Sequence, residues 1–253
     1  MSTTSRIRWT DVFCYALIAC IAPAQTVPQR ASRIAAPTAK EIAAARDRLR
    51  QGEPFLVDIA HLARAGAVDA IPELKRQFGA SHDEFTKEAV ASALVKLGDK
   101  DATYWDYLVR EATVAVDSDE PFPSGFDANG KLARGLSPQF IRWAKAHNLT
   151  TEAAADLATH DLPGKVLLLA KTGDPRAIPL LRRALASPNF LIQIKGAEGL
   201  TDLQDKASIP SIIAVCRNAP AELAFGLAEF LAEFDDPAAQ RAAKEFAPPK
   251  EPK

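Results

Sequence analysis

Between Asp174 and Pro237 the order of apolar and polar positions is written once and then repeated. Ile178-Pro179 returns as Ile209-Pro210, and Ala197-Glu198-x-Leu200-x-Asp202-Leu203-x-Asp205 returns as Ala228-Glu229-x-Leu231-x-Glu233-Phe234-x-Asp236. Both halves of the unit share a period of about 31 residues, which marks a stacked helical repeat. Each helix pair in such a stack buries one face against the next pair and leaves a long lateral surface. An earlier copy runs from Ile71-Pro72 and Leu74 to Ala91, Leu94, Leu97 and Asp99, matching Ala197, Leu200, Leu203 and Asp205 after a one-residue insertion. Half of another copy is visible in Val166, Leu169 and Asp174, one period before Ala197, Leu200 and Asp205.

Apolar periodicity predicts further helices on either side. Thr38 or a neighbour can cap a helix over Lys40–Leu49, and a second around Phe55–Ala65 carries Leu56, Ile59, Leu62 and Ala63 at helical spacing until Gly66 stops it. Asp101–Ala112 opens another, with Tyr104, Tyr107 and Leu108 on one face. The rhythm then breaks. Between Thr113 and Leu136 the chain holds Pro121, Pro123, Gly125, Gly135 and the turn signal Asn129-Gly130, which suit a loop or short hairpin. A long insertion inside a solenoid is a candidate for binding. Past Ser137-Pro138, a helix from Gln139 to His147 carries Phe140, Ile141, Trp143 and Ala144. Thr150-Thr151-Glu152 caps a helix to about Ala158, and Gly164–Thr172 is expected to be its partner. The organisation is therefore helices over 39–112, an irregular insertion over 113–137, repeats over 138–247 and a frayed tail over 248–253.

The repeated unit resembles the HEAT-like repeat, in particular the variety named after phycobilisome lyase subunits. There an apolar-Pro pair opens the first helix, and the second carries an Ala-x-x-Leu stripe and ends at an Asp. The resemblance covers most of residues 66–112 and 150–240. It implies an all-α fold, a HEAT-like α-solenoid of antiparallel helix pairs with an irregular central insertion. It implies no single role, because one fold hosts many functions. Repeats of this kind often carry a basic residue early in the second helix, bonded to an acidic turn residue. The corresponding positions hold Lys87, Gln193 and Ala224, so the resemblance implies an incomplete polar ladder between repeats.

The N-terminus belongs to no repeat. Arg6 and Arg8 precede the apolar run Val12 to Ala22, which is too short to span a bilayer and is followed by Ala22-Pro23-Ala24. Residues 1–24 read as a secretory signal peptide, with a mature chain starting near Gln25. Within it, Leu17-Ile18-Ala19-Cys20 resembles the lipobox of bacterial lipoproteins, which makes Cys20 a lipidation candidate. Both readings export the protein to the periplasm or cell envelope, soluble or lipid-anchored, with no transmembrane span in the mature chain; an uncleaved anchor is the third reading. Residues 25–38 mix Pro, Ala and Thr without periodicity and form a linker. A chain cleaved near Gln25 keeps Cys216 alone, so it makes no internal disulfide and rests on packing, with Cys216 read as a buried apolar residue.

A net charge of −1 offers no basic field for nucleic acid. Two surfaces are candidates for a protein partner. Once the leader is removed, every Tyr and Trp lies in one window, Tyr104, Trp105, Tyr107 and Trp143, joined there by Phe122 and Phe126; such rings bury area while keeping a polar tip. The second candidate is acidic: Glu198 and Asp202 share a helix face, and Glu229 and Glu233 take the same positions one repeat later, so stacking is expected to gather them into a patch for a basic partner. Asp117, Asp119, Glu120 and Asp127 miss the ligand order of a calcium loop and read as a solvated turn. His61, His82, His147 and His160 are scattered, and no catalytic, metal or cofactor motif is written in the chain. The expected function is an exported interaction scaffold or adaptor for an unidentified protein. A structural envelope lipoprotein and a lyase-like enzyme or subunit handling a chromophore are the alternatives.

Overall fold

The computed structural model describes residues 36–52, 54–121, 124–126, 132–136, 138–219 and 221–247. The signal-peptide and lipobox readings with Cys20, the start of the linker, Phe122, Asp127 and the C-terminal tail fall outside them. Before the break in rhythm the elements are α1 (Ala39–Gln51), α2 (Leu56–Arg64), α3 (Ile71–Ala80), α4 (Glu84–Lys96) and α5 (Ala102–Val116). Then come β1 (Ser124–Phe126), β2 (Leu132–Leu136), α6 (Pro138–Ala146), α7 (Thr151–Asp156) and α8 (Leu162–Lys171). The chain closes with α9 (Ile178–Ala184), α10 (Phe190–Asp202), α11 (Ile209–Asn218), α12 (Ala221–Ala232) and α13 (Pro237–Glu245).

Local chemistry explains where these helices start and stop. Thr38 and Glu41 form a reciprocal capping box at α1, the Thr38 amide donating to the Glu41 carboxylate at 2.7 Å. Asp83, Asp101, Thr150, Asn189 and Asp236 cap α4, α5, α7, α10 and α13 through their side-chain oxygens. Pro72, Pro179 and Pro210 occupy the first turns of α3, α9 and α11, where a missing amide costs nothing. α2, α4 and α8 are each followed by a left-handed glycine: Gly66, Gly98 and Gly173. After α10 the same backbone state is held by Gln204 at φ 51°, whose side chain donates to the Glu233 carbonyl of the next repeat at 3.2 Å.

The helices pair as α1/α2, α3/α4, α5/α8, α9/α10 and α11/α12, and α13 packs on α12. The second helices α2, α4, α8, α10 and α12 stack in that order, and one apolar core runs from Ala45 to Ala243 through all pairs. α5 extends four residues past its expected end at Ala112, because Ala115 and Val116 remain on the buried face. The expected partner of α8, α7, is corrected to α5. α7 leads instead into a π-helical turn, Leu157–Asp161, that feeds α8. Residues 117–161 are therefore inserted between the two helices of one repeat. β1 and β2 pair antiparallel there, Ser124 with Leu136 and Phe126 with Leu132, with a register slip between Ser124 and Phe126.

The ladder is incomplete at the positions where it was expected to be. Lys87 pairs within its own helix with Glu84, and Gln193 donates to the Ser187 carbonyl. Further bonds between repeats come from the C-terminal half of α4 and from the turn after α10. Ser92 and Lys96 of α4 donate to the Leu168 and Lys171 carbonyls of α8, and Lys206 donates to the Asp235 carbonyl. The last carbonyls of a helix have no intrahelical donor, so side chains of the preceding repeat satisfy them.

Cys216 is 2 % exposed in α11, and burial pushes its thiol up to about 12. A folded chain starting at Gln25 is expected to leave a thiol reagent such as a disulfide-exchange dye unconsumed at pH 8, with one equivalent reacting in denaturant. Fast labelling of the native chain would refute that placement.

Candidate interaction site

The insertion is a small unit with its own core. Phe140, Ala144, Ala154 and Ala158 form an apolar cluster separate from the main core, with Trp143, Leu149 and Ala155 packed against it. Trp143 stacks on Phe140 with ring centroids 5.7 Å apart, lies 4.5 Å from the His147 ring, and donates through Nε1 to Asp119 at 3.0 Å. The base of the insertion is fastened to the next repeat at two places. Asp117 forms an ion pair with Arg183 of α9. Asn189, fully buried at the start of α10, donates through Nδ2 to the Ala158 carbonyl at 2.9 Å and to Glu120 at 3.4 Å. Glu120 is only 1 % exposed, which corrects its expected place in a solvated turn; burial is the main cause raising its carboxyl to about 7.

Beneath the insertion a buried lysine closes the interrupted repeat. Lys165 of α8 donates to Glu88 of α4 at 2.6 Å and to Glu111 of α5 at 2.9 Å. Burial would depress this ammonium, but the two carboxylates outweigh it and hold Lys165 above its ordinary value. Burial first, with the charges of Glu111 and Asp161, holds the Glu88 carboxyl above its ordinary value despite Lys165. Neighbouring Gly164 leaves room for the Phe85 ring, 3.1 Å from where a Cβ would stand. Sequence reasoning passed over Lys165, whose only signal is a lone cation in the apolar stretch LPGKVLLLA.

The aromatic candidates separate into three places. Tyr104 and Tyr107 both meet the edge of Phe78, with centroids 5.0 and 5.4 Å away, and Tyr107 donates to Glu84 at 2.7 Å; these two rings join α5 to α3 and α4. Trp143 belongs to the insertion, as does Phe126, which ends β1. Trp105 has a role set by the repeat. In α1, α3 and α9 a cation reaches the turn after its own pair, giving Arg46–Asp69, Lys75–Asp99 and Arg182–Asp205 at 2.8, 2.9 and 2.6 Å. Trp105 follows buried Tyr104 as Lys75 follows Leu74 and Arg182 follows Leu181, so it occupies the cation position of α5. The corresponding turn acid, Asp174, takes Arg176 instead at 2.7 Å, and that guanidinium lies 4.1 Å from the Trp105 ring centroid. The ring and the displaced cation together replace the ion pair of the other repeats.

The acidic candidates do not form one open patch. Glu198 is buried and accepts from Lys171 of α8 at 2.8 Å and Lys195 at 3.1 Å; Lys171 also bonds Asp202 at 3.0 Å. Second helices stack so closely that the residue facing the previous helix is interior, and the previous helix supplies its cation. Glu229 on α12 and Glu233, just past its end, are half-buried. Among the described residues no cluster of His, Cys, Asp and Glu is arranged to hold a metal ion, and no helix is long and apolar enough to cross a membrane.

A family model described as the PBS lyase HEAT-like repeat matches residues 166–187, from Val166 in α8 to the residue after α9 and its turn. No curated protein and no solved structure matches the chain. Hydrogen bonds repeat the same period, since Lys171 reaches Asp202 and the Asp235 amide reaches Gln204 across 31 positions each. The family match, the stacked antiparallel pairs and this spacing together support reading the chain as a HEAT-like repeat protein.

Proposed function

We propose that the protein is an exported interaction scaffold in which the helix pairs are the frame and the insertion between α5 and α8 is the element that meets a protein partner. The observation that carries this reading is the insertion's separate apolar cluster, fastened at its base by Arg183 and Asn189 while α5 and α8 remain packed on each other. A surface ordered in advance loses little conformational entropy on binding. Of the aromatic candidates, Trp143 and Phe126 belong to this unit, whereas Tyr104, Trp105 and Tyr107 serve the joints between helices. Export rests on the leader pattern over residues 1–24, and either processing route delivers the chain to the periplasm or envelope, free or held by lipid on Cys20.

The test is cross-linking and affinity capture from the native envelope with the mature chain and with a variant in which residues 124–136 are replaced by a short Gly-Ser link and Trp143 by Ala. A partner bound by the first and lost by the second, with helical content unchanged, is the expected result. Equal capture by both would refute the insertion as the reading element and turn attention to the α12 face with Glu229 and Glu233. Mass spectrometry of the mature N-terminus checks the export reading, expected as unmodified Gln25 or lipid-modified Cys20; a chain that keeps Met1 in the cell would refute it.

A further inference from the structure

At Asn189 both ends of the insertion meet the neighbouring repeat. Its Nδ2 reaches Glu120 on the outgoing end and the Ala158 carbonyl on the returning end, while its Oδ1 accepts from the Leu191 amide to cap α10. Asn189 is fully buried and Glu120 nearly so. One carboxyl oxygen of Glu120, Oε2, is buried with no hydrogen-bond partner, and the other has only the long contact to Asn189. The charged groups acting on it come from its own strap and from the π-helical turn, Asp119 and Asp161, and both are acidic. α10 contributes only the neutral Asn189 amide to it. A carboxylate in such a place has lost its water, gained no cation and faces two like charges; a neutral carboxyl suffers far less on each count.

We infer that Glu120 is a proton-operated latch, holding the base of the insertion against α10 when protonated and releasing it when ionised. On release the proton goes to solvent, the carboxylate moves out into water, and Asn189 loses its contact to the outgoing strap. The sign follows from the two environments. The docked carboxyl titrates near 7 and the released one near the ordinary 4.5, so the docked form binds more protons between these values and undocking is favoured as pH rises through that window. From pH 5.5 to pH 8 the undocked population is expected to grow roughly 30-fold. The latch concerns how the insertion is held, and it stands whether or not the insertion meets a partner.

Amide hydrogen exchange tests it on the full mature chain, corrected for intrinsic rates, at the amides of residues 117–120 and 156–161. In the wild type, opening at these amides is expected to rise on the order of 30-fold from pH 5.5 to pH 8. In Glu120→Gln, which keeps the acceptor facing Asn189 and cannot ionise, it is expected to stay flat. A wild type with equal protection at both values overturns the latch, and so does a Glu120→Gln variant with the same pH dependence as the wild type. Should that variant fail to fold, carbon NMR titration of the Glu120 carboxyl in the wild type decides. A midpoint near 7 supports the latch, and one near the ordinary glutamate value overturns it.

Discussion

Replacing Lys165 by Met is expected to cost about 3–5 kcal/mol of stability at neutral pH, read as a lowered urea midpoint with an unchanged slope. The magnitude follows from what the substitution leaves behind. Glu88 is 2 % exposed, and Lys165 is the cation bonded to its carboxylate. Removing the ammonium leaves a buried charge, or forces a proton onto it. Glu111 is less exposed to this loss, because Arg110 also reaches it at 3.0 Å. The pH dependence has a definite sign. The folded value of Glu88 already lies above the ordinary carboxylate value, and loss of Lys165 raises it further. Stability that the variant lacks is therefore small near pH 4.5 and grows as pH rises through the folded value. Adding Glu88→Gln to Lys165→Met should recover most of the deficit, since a neutral amide needs no counter-charge. A single variant with a deficit independent of pH would refute the account.

Gly199→Ala is expected to destabilise the protein by about 2 kcal/mol, while Gly226→Ala stabilises it by about 0.5–1 kcal/mol, although both glycines lie inside helices of the same layer. Alanine gains about 1 kcal/mol over glycine in any exposed helix interior. At Gly226 a Cβ meets nothing within 4 Å, so that gain stands alone. At Gly199 the same atom would stand 2.5 Å from the Ala170 Cβ of α8 and 2.9 Å from Leu181 Cδ1 of α9. A Cβ is fixed to its backbone and cannot swing aside, so α8 itself must retreat. Gly196, three residues earlier on the same face, already lies close to Ala184. These two glycines let α10 approach α8 and α9 together. Urea unfolding of both variants checks the contrast, and stabilisation by both would refute the close approach at Gly199.

Much of the scaffold was legible because its signals are local. Caps at Thr38 and Thr150, the apolar-Pro pairs and the stop at Gly66 each act within one turn of chain, and the structure has helix boundaries near all of them. Trp105 shows where legibility ended. Its equivalence to Lys75 and Arg182 is visible only once α5 is known to be the first helix of a repeat, and residues 117–161 separate it from the second. Glu198 is a similar case. Spacing places it on one face with Asp202, yet whether that face meets water or Lys171 depends on how near α8 lies.

The amino-acid sequence by itself determined most of the helices, their starts, the repeat period and the apolar stripe of each helix, because these follow from neighbours a few residues apart. Tertiary structure alone decided that α8 closes on α5, that the insertion carries a core of its own, and that Lys165, Glu198 and Glu120 lie inside. An apolar stripe states that a face must be covered and does not name its cover. That choice is made by the close packing of segments far apart in the chain, and the fate of each buried charge follows from it.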